Sequence, residues 1–164
     1  RANGLVQFAT SVTFTNATTV SFTTGTTGLT NGQNVRILLT NPDGNAVRSS
    51  SDLVISDGPV FTTTSLPNGE SNTAYSQNID VTADSATTIA INSGSSLPSG
   101  ISLGSTSNVS GSTYRAVLSG TLPNTASETT YNFTLKATDA QAQVTTQALS
   151  ITAEVGINNA GGFC

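Results

Sequence analysis

Between Tyr75 and Val155 the chain repeats one local pattern: a short run in which apolar and polar residues alternate, followed by a turn. Tyr75, Gln77 and Ile79 share one face of such a run, as do Ile89 and Ile91. Tyr114, Ala116 and Leu118 follow, then Tyr131, Phe133, Leu135 and Ala137, then Leu149, Ile151, Ala153 and Val155. A period of two places successive side chains on opposite faces, so each run reads as a strand with one buried face. Leu97-Pro98-Ser99-Gly100, Ser119-Gly120-Thr121-Leu122-Pro123 and Ala137-Thr138-Asp139-Ala140 punctuate these runs. No stretch sustains a 3.6-residue period, so helix is expected to be nearly absent. Without helical crossovers the strands are expected to pair antiparallel in two packed layers, an all-β sandwich.

Composition narrows what such a sandwich can do. Charged residues are 9% of the 164, hydrophobic residues 35%, and the net charge is −4. Thr, Ser, Asn and Gly dominate; β-branched Thr favours pleated surfaces, so the outer faces should be polar and neutral. No basic stripe exists to contact nucleic acid, and the few Lys and Arg make a polybasic membrane patch implausible. No apolar run approaches the roughly 20 residues that span a bilayer as a helix. The chain starts at Arg1 and shows no signal peptide, so it is expected to be a processed product or an excerpt of a longer protein. Its one cysteine, Cys164, excludes an internal disulfide and reads as a free terminal residue; the redox compartment stays open.

Residues 1–59 form a first unit. Val12 and Phe14 alternate, then Val20 and Phe22, and a longer strand is expected to carry Val35, Ile37 and Leu39 on one face. Gly25, Gly28 and Asn31-Gly32 mark turns, and in Asn41-Pro42-Asp43-Gly44 the proline presets φ while the glycine tolerates positive φ. A return strand is expected near Ala46–Ile55, and Asp57-Gly58-Pro59 breaks the chain. Val12-Thr13-Phe14, Gly28-Leu29-Thr30-Asn31-Gly32-Gln33 and the run from Val35 to Gly44 resemble the later half of an IPT/TIG-type immunoglobulin-like domain. The resemblance covers about a third of the chain and implies an opening pair of strands for which only about ten residues are available here. The first domain therefore looks truncated at its N-terminus. Its missing strands lie upstream or come from another chain, and Ala2–Phe8 pairs within this chain or with a neighbour.

Residues 60–155 form a second unit. Tyr75, the Leu97–Gly100 turn, Gly120 and Ala137-Thr138-Asp139-Ala140 resemble an immunoglobulin-like domain of the dystroglycan-type cadherin-like group over more than half of the chain. The departures are a Ser-, Thr- and Gly-rich insertion around Gly104–Thr113 and the longer Ser119–Pro123 block. The expected architecture is thus two tandem immunoglobulin-like β-sandwiches, the first incomplete, followed by a Gly- and Asn-rich linker or tail over residues 156–164.

The sequence offers little catalytic chemistry. Without histidine no Ser-His-Asp or Cys-His arrangement is possible, no serine sits in a Gly-x-Ser-x-Gly elbow, and no glycine loop suits a phosphate. Lys136, the only lysine, occupies an outward strand position between Leu135 and Ala137. No catalytic or cofactor-binding residue is assigned, and the chain is expected not to be an enzyme. Calcium is the one ion considered: Asp57, Glu70, Asp80, Asp84 and Asp139 are scattered over the junction and loops. The cadherin-like resemblance implies acidic residues at junctions, which makes Asp139 and Asp57 the candidates; against it, no Asp-x-Asp run is present, and Asp139 fits a carboxylate bonded to its own turn. Asp43 is read as a turn residue.

Arg36, Arg48 and Arg115 are each read as standing alone on polar strand faces, and Tyr114 and Tyr131 as facing inward. Asn16-Ala17-Thr18, Asn108-Val109-Ser110 and Asn132-Phe133-Thr134 match the N-glycosylation acceptor, a pattern that a Ser-, Thr- and Asn-rich chain meets by chance.

Small, neutral, disulfide-free sandwiches rich in polar β-formers suit a virion-surface structural protein: a phage fibre, tail or capsid-decoration component. It would space and display binding surfaces and take part in host attachment. The expected partners are other virion or surface proteins, copies of itself, and a cell-surface glycan or receptor. Stalk domains of a bacterial surface adhesin, on the cell surface or secreted, are the alternative. A carbohydrate-binding module of a secreted hydrolase is a third reading, weakened by an aromatic content of 5% and the lack of Trp.

Overall fold

A computed structural model describes residues 8–16, 19–24 and 29–156. The Gly25 and Gly28 turns, Ala17 and Thr18 of the first acceptor, Ala2 to Gln7 and the tail from residue 157 to Cys164 lie outside the described residues. The described chain contains strands and turns and no helix. It divides into two compact units, Arg1–Ser56 and Asp57–Cys164.

In the first unit β1 (Ala9–Asn16) pairs antiparallel with β2 (Thr19–Thr24). The expected long strand and its return are each broken: β3 (Asn34–Val35) and β4 (Leu38–Thr40) pair with β6 (Leu53–Val54) and β5 (Ala46–Arg48) respectively. The cause lies in the return strand. The Ser49 hydroxyl accepts the Ile37 N–H at 3.2 Å and donates to the Ser51 carbonyl at 2.9 Å, bulging the chain between the two short ladders. The tip is the Asn41–Gly44 turn, with Gly44 at φ +89° and its N–H on the Asn41 carbonyl at 3.0 Å. Val12, Phe14, Leu38 and Val47 are all exposed, and no side chain described in this unit is buried. Two-stranded sheets without a second layer cannot cover an apolar face.

The second unit is a sandwich. Its strands are β7 (Val60–Phe61), β8 (Gly69–Glu70), β9 (Ala74–Thr82), β10 (Thr87–Ile91), β11 (Ile101–Leu103), β12 (Ser107–Ser110), β13 (Thr113–Thr121), β14 (Thr129–Asp139) and β15 (Val144–Glu154). One sheet runs β10-β14-β15-β8, the other β11-β13-β9-β7, with β12 also paired to β13. All pairings are antiparallel except β15 with β8.

The inward faces carry the alternating residues. Ile79, Val81, Ala116 and Leu118 from one sheet meet Phe133, Leu135, Ala137 and Ile151 from the other. Ile79, Leu118, Leu135 and Ile151 are wholly buried, each worth about 1.5–3 kcal/mol relative to exposure. Several members of the expected inward set differ, Tyr114 among them, half-buried and outside the core cluster. Ile91 ends its strand and is 40% exposed, and Val155 lies just past β15 at 41%. The Ser-, Thr- and Gly-rich insertion is ordered, with β12 folding back on β13 through a turn in which Asn108 Nδ2 donates to the Gly111 carbonyl at 2.9 Å.

Candidate functional site

The polar residues singled out by the sequence are mostly engaged with the fold. Asp139 ends β14, and its Oδ1 accepts the N–H groups of Gln141 at 3.0 Å and Gln143 at 2.7 Å. Those bonds hold the β14–β15 turn, where Ala142 adopts φ +63°. The residue is 6% exposed, and its Oδ2 is buried without a hydrogen-bond partner. Beside this turn Ser85 donates to Gln141 Oε1 at 2.5 Å, and the Ala140 N–H reaches the Ser85 hydroxyl at 3.4 Å.

Asp57 is exposed, and its N–H donates to Asp84 Oδ2 at 3.1 Å. Among the described residues no three His, Cys, Asp or Glu side chains gather where they could hold a metal. Asp57 and Asp139, the two calcium candidates, therefore do not join a cluster of carboxylates of the kind a hard cation prefers.

Two of the three arginines read as solitary have carboxylate partners. Arg115 and Asp80 lie directly opposite each other on β13 and β9, and the guanidinium grips the carboxylate with both Nε (2.6 Å) and Nη2 (2.7 Å). The Arg115 hydrogen bond holds the Asp80 carboxyl below the usual range, against a smaller upward push from burial. Arg36 meets Asp52 at 2.5 Å across the bulge of the first unit. Strand alternation could not reveal either pair, because both depend on cross-strand register. Asp43 is a turn residue as read. Its Oδ1 accepts the Asn45 N–H at 2.9 Å and its Oδ2 the Asn45 amide at 3.0 Å, which lowers its pKa.

Tyr75 is 5% exposed, and its hydroxyl donates to the Pro67 carbonyl at 2.8 Å. Desolvation pushes its phenol up. Tyr131 packs against the core, whereas Tyr114 is half-buried outside that cluster. Lys136 is half-exposed on β14, and Asn108 and Asn132 are both exposed.

An open groove of about 620 Å³ lies against the β14–β15 ladder, lined by Thr64–Leu66, Asn92–Ser96, Asn132–Thr134 and Ala148–Ser150. Its lining is hydroxyls, amides and apolar carbon, without a charged side chain. Phe133, its one aromatic, is 3% exposed and so gives no stacking platform. The groove suits neutral hydrogen-bonding contacts and contains no acid–base pair.

No curated protein matches the sequence. Among solved structures, an endo-fucoidan hydrolase of glycoside hydrolase family 107 is 21% identical with a TM-score of 0.48, covering 98% of this chain and 25% of that one. The chain thus spans a quarter of that hydrolase's length. A titin–obscurin-like 1 Ig complex is 14% identical with a TM-score of 0.38, covering 62% of this chain and 98% of that one. A chimeric titin Z1Z2 carrying a decorin peptide is 13% identical with a TM-score of 0.37, covering 89% and 73%. The model of the family described as "Putative Ig domain" matches residues 58–155, most of the two-layered unit and more than half of the chain. The chain belongs to this family of immunoglobulin-like domains.

Proposed function

We propose that the chain is a non-enzymatic structural module of a virion surface, part of a phage fibre, tail or capsid decoration. It spaces and displays contact surfaces and takes part in host attachment. The observation that carries this reading is where the polar groups go. Asp43 and Asp139 shape turns, Asp80 holds Arg115, and the outward strand faces of the second unit are mostly neutral hydroxyls and amides. Such surfaces suit many weak contacts, which a multivalent particle raises to useful avidity. In the same reading the first unit is the later half of an IPT/TIG-type domain completed by further strands, and the second is of the dystroglycan-type cadherin-like group.

The test is fractionation of the native source on a density gradient, followed by quantification of this chain. Co-purification with intact particles at a fixed copy number supports the proposal. Recovery only with cell envelopes would overturn it in favour of an adhesin stalk. Recovery in the medium, on one polypeptide with a hydrolase domain, would favour a carbohydrate-binding module.

A further inference from the structure

The free edges of the sandwich are not treated alike. On the outer edge of β10 the Ile89 N–H donates to the Thr106 hydroxyl at 2.8 Å, so a side chain caps the strand. β7 and β8 are two residues long and β11 three, while β12 carries a register shift between Asn108 and Ser110. Short, bulged or capped edges resist the addition of another strand.

β9 and β14 are each left open over part of their length, and β15 leaves the longest stretch open. β15 runs from Val144 to Glu154, and β8 covers only Ala153 and Glu154. The register identifies which backbone groups are bare. The Thr134 N–H donates to Ser95 and its carbonyl accepts from Asn92, so Thr134 faces away from β15. Its cross-strand partner Ala148 must then turn its N–H and C=O outward, and by alternation so do Val144, Thr146 and Ser150. Those four residues are exposed, and among the described residues no strand pairs with this stretch. The Ala148 carbonyl accepts the side-chain amide of Gln147 at 2.9 Å, and Thr64–Leu66 line the groove beside Ala148–Ser150.

We propose that this edge is a docking surface for a second copy of the chain, pairing antiparallel with its own β15 about a two-fold axis near Gln147. The occupant follows from charge. From Val144 to Ala153 the strand carries no Lys, Arg, Asp, Glu or Pro, although the whole chain has a net charge of −4. Self-pairing therefore meets no like charge at the contact, and an antiparallel edge offers identical donors and acceptors to its own copy. Thr146 of one copy faces Ala148 of the other, and the Gln147 amide gives up its bond to the Ala148 carbonyl. This surface does not depend on where the chain works.

Sedimentation velocity of the full chain over a concentration series tests the pairing. A reversible dimer is expected. Ala148→Pro removes one outward N–H and leaves the β14–β15 bonds in place, and Thr146→Lys sets a charge on the contact without touching the backbone. Each should weaken self-association by about tenfold or more while thermal unfolding stays cooperative. Thr146→Lys alone decides the matter if the proline variant does not fold. A chain that stays monomeric at about 1 mM would overturn the proposal. So would a dimer indifferent to both substitutions, because the contact would then lie elsewhere, for instance on the exposed hairpins of the first unit.

Discussion

Gly120 lies directly against the carbonyl oxygen of Gly100: a Cβ at position 120 would stand 1.9 Å from that oxygen. Reciprocally, a Cβ on Gly100 would stand 2.5 Å from the Thr121 carbonyl oxygen. Both residues have positive φ, +85° at Gly100 and +149° at Gly120, and the Thr121 N–H closes the crossing on the Gly100 carbonyl at 3.1 Å. The Leu97–Gly100 turn and the Ser119–Pro123 block, far apart in sequence, are thus one backbone crossing at which β11 enters its pairing with β13.

Gly120→Ala should therefore destabilise the second unit by ~3 kcal/mol or more, because backbone rather than a flexible side chain would have to move. Urea denaturation measures this. A loss below about 1 kcal/mol would mean that the crossing relaxes easily.

Tyr75→Phe removes the bond to the Pro67 carbonyl while keeping the ring that packs near Gly69 and Leu122. The expected cost is about 1 kcal/mol, read as a lower urea midpoint at unchanged slope. A change of slope would instead point to an altered native or denatured state.

The Asp80–Arg115 pair gives a pH signature. Arg115 depresses the folded-state pKa of Asp80, so the stabilisation is present above the unfolded carboxylate value and fades as pH falls through the folded one. Arg115→Gln should therefore cost stability above about pH 4, and the gap to wild type should shrink on further acidification. Both side chains are partly solvated, at 35% and 23% exposure, which keeps the effect modest. Thermal melts of the two proteins across this range provide the check, and a gap independent of pH would contradict the assignment.

Asp139→Ala strips the acceptor from two turn amides and should cost about 1–3 kcal/mol. Because no acidic cluster surrounds Asp139 among the described residues, calcium should leave the melting temperature of wild type unchanged relative to chelator. A calcium-dependent rise that Asp139→Ala abolishes would instead identify it as a ligand.

Much of the second unit was legible in the sequence. Alternation at Phe133, Leu135 and Ala137, and at Leu149, Ile151 and Ala153, marks the buried faces directly, because a strand with one wet side is written with a period of two. Strand ends were less legible, since alternation continues through Ile91 and Val155, which are both exposed at or just past the end of a strand. The first unit is less legible. Val35, Ile37 and Leu39 alternate like one strand, and only the hydrogen bonds of Ser49 reveal the break.

The polar pairs were not legible, because residues as distant in sequence as Asp80 and Arg115 meet only once the β9–β13 register is fixed. The bare edge of β15 is invisible for the same reason: which residues turn their backbone outward depends on where β10 ends beside β14. The insertion carried one unused signal, the Gly111-Ser112 step between two polar alternating runs, which is how a short hairpin is written.

Electron cryomicroscopy of the chain in its native assembly tests the central proposal most directly. The expected result is immunoglobulin-like density repeated by symmetry on a virion, with neighbouring copies in contact. An isolated, extended stalk on a cell envelope, with no symmetric neighbour, would contradict it.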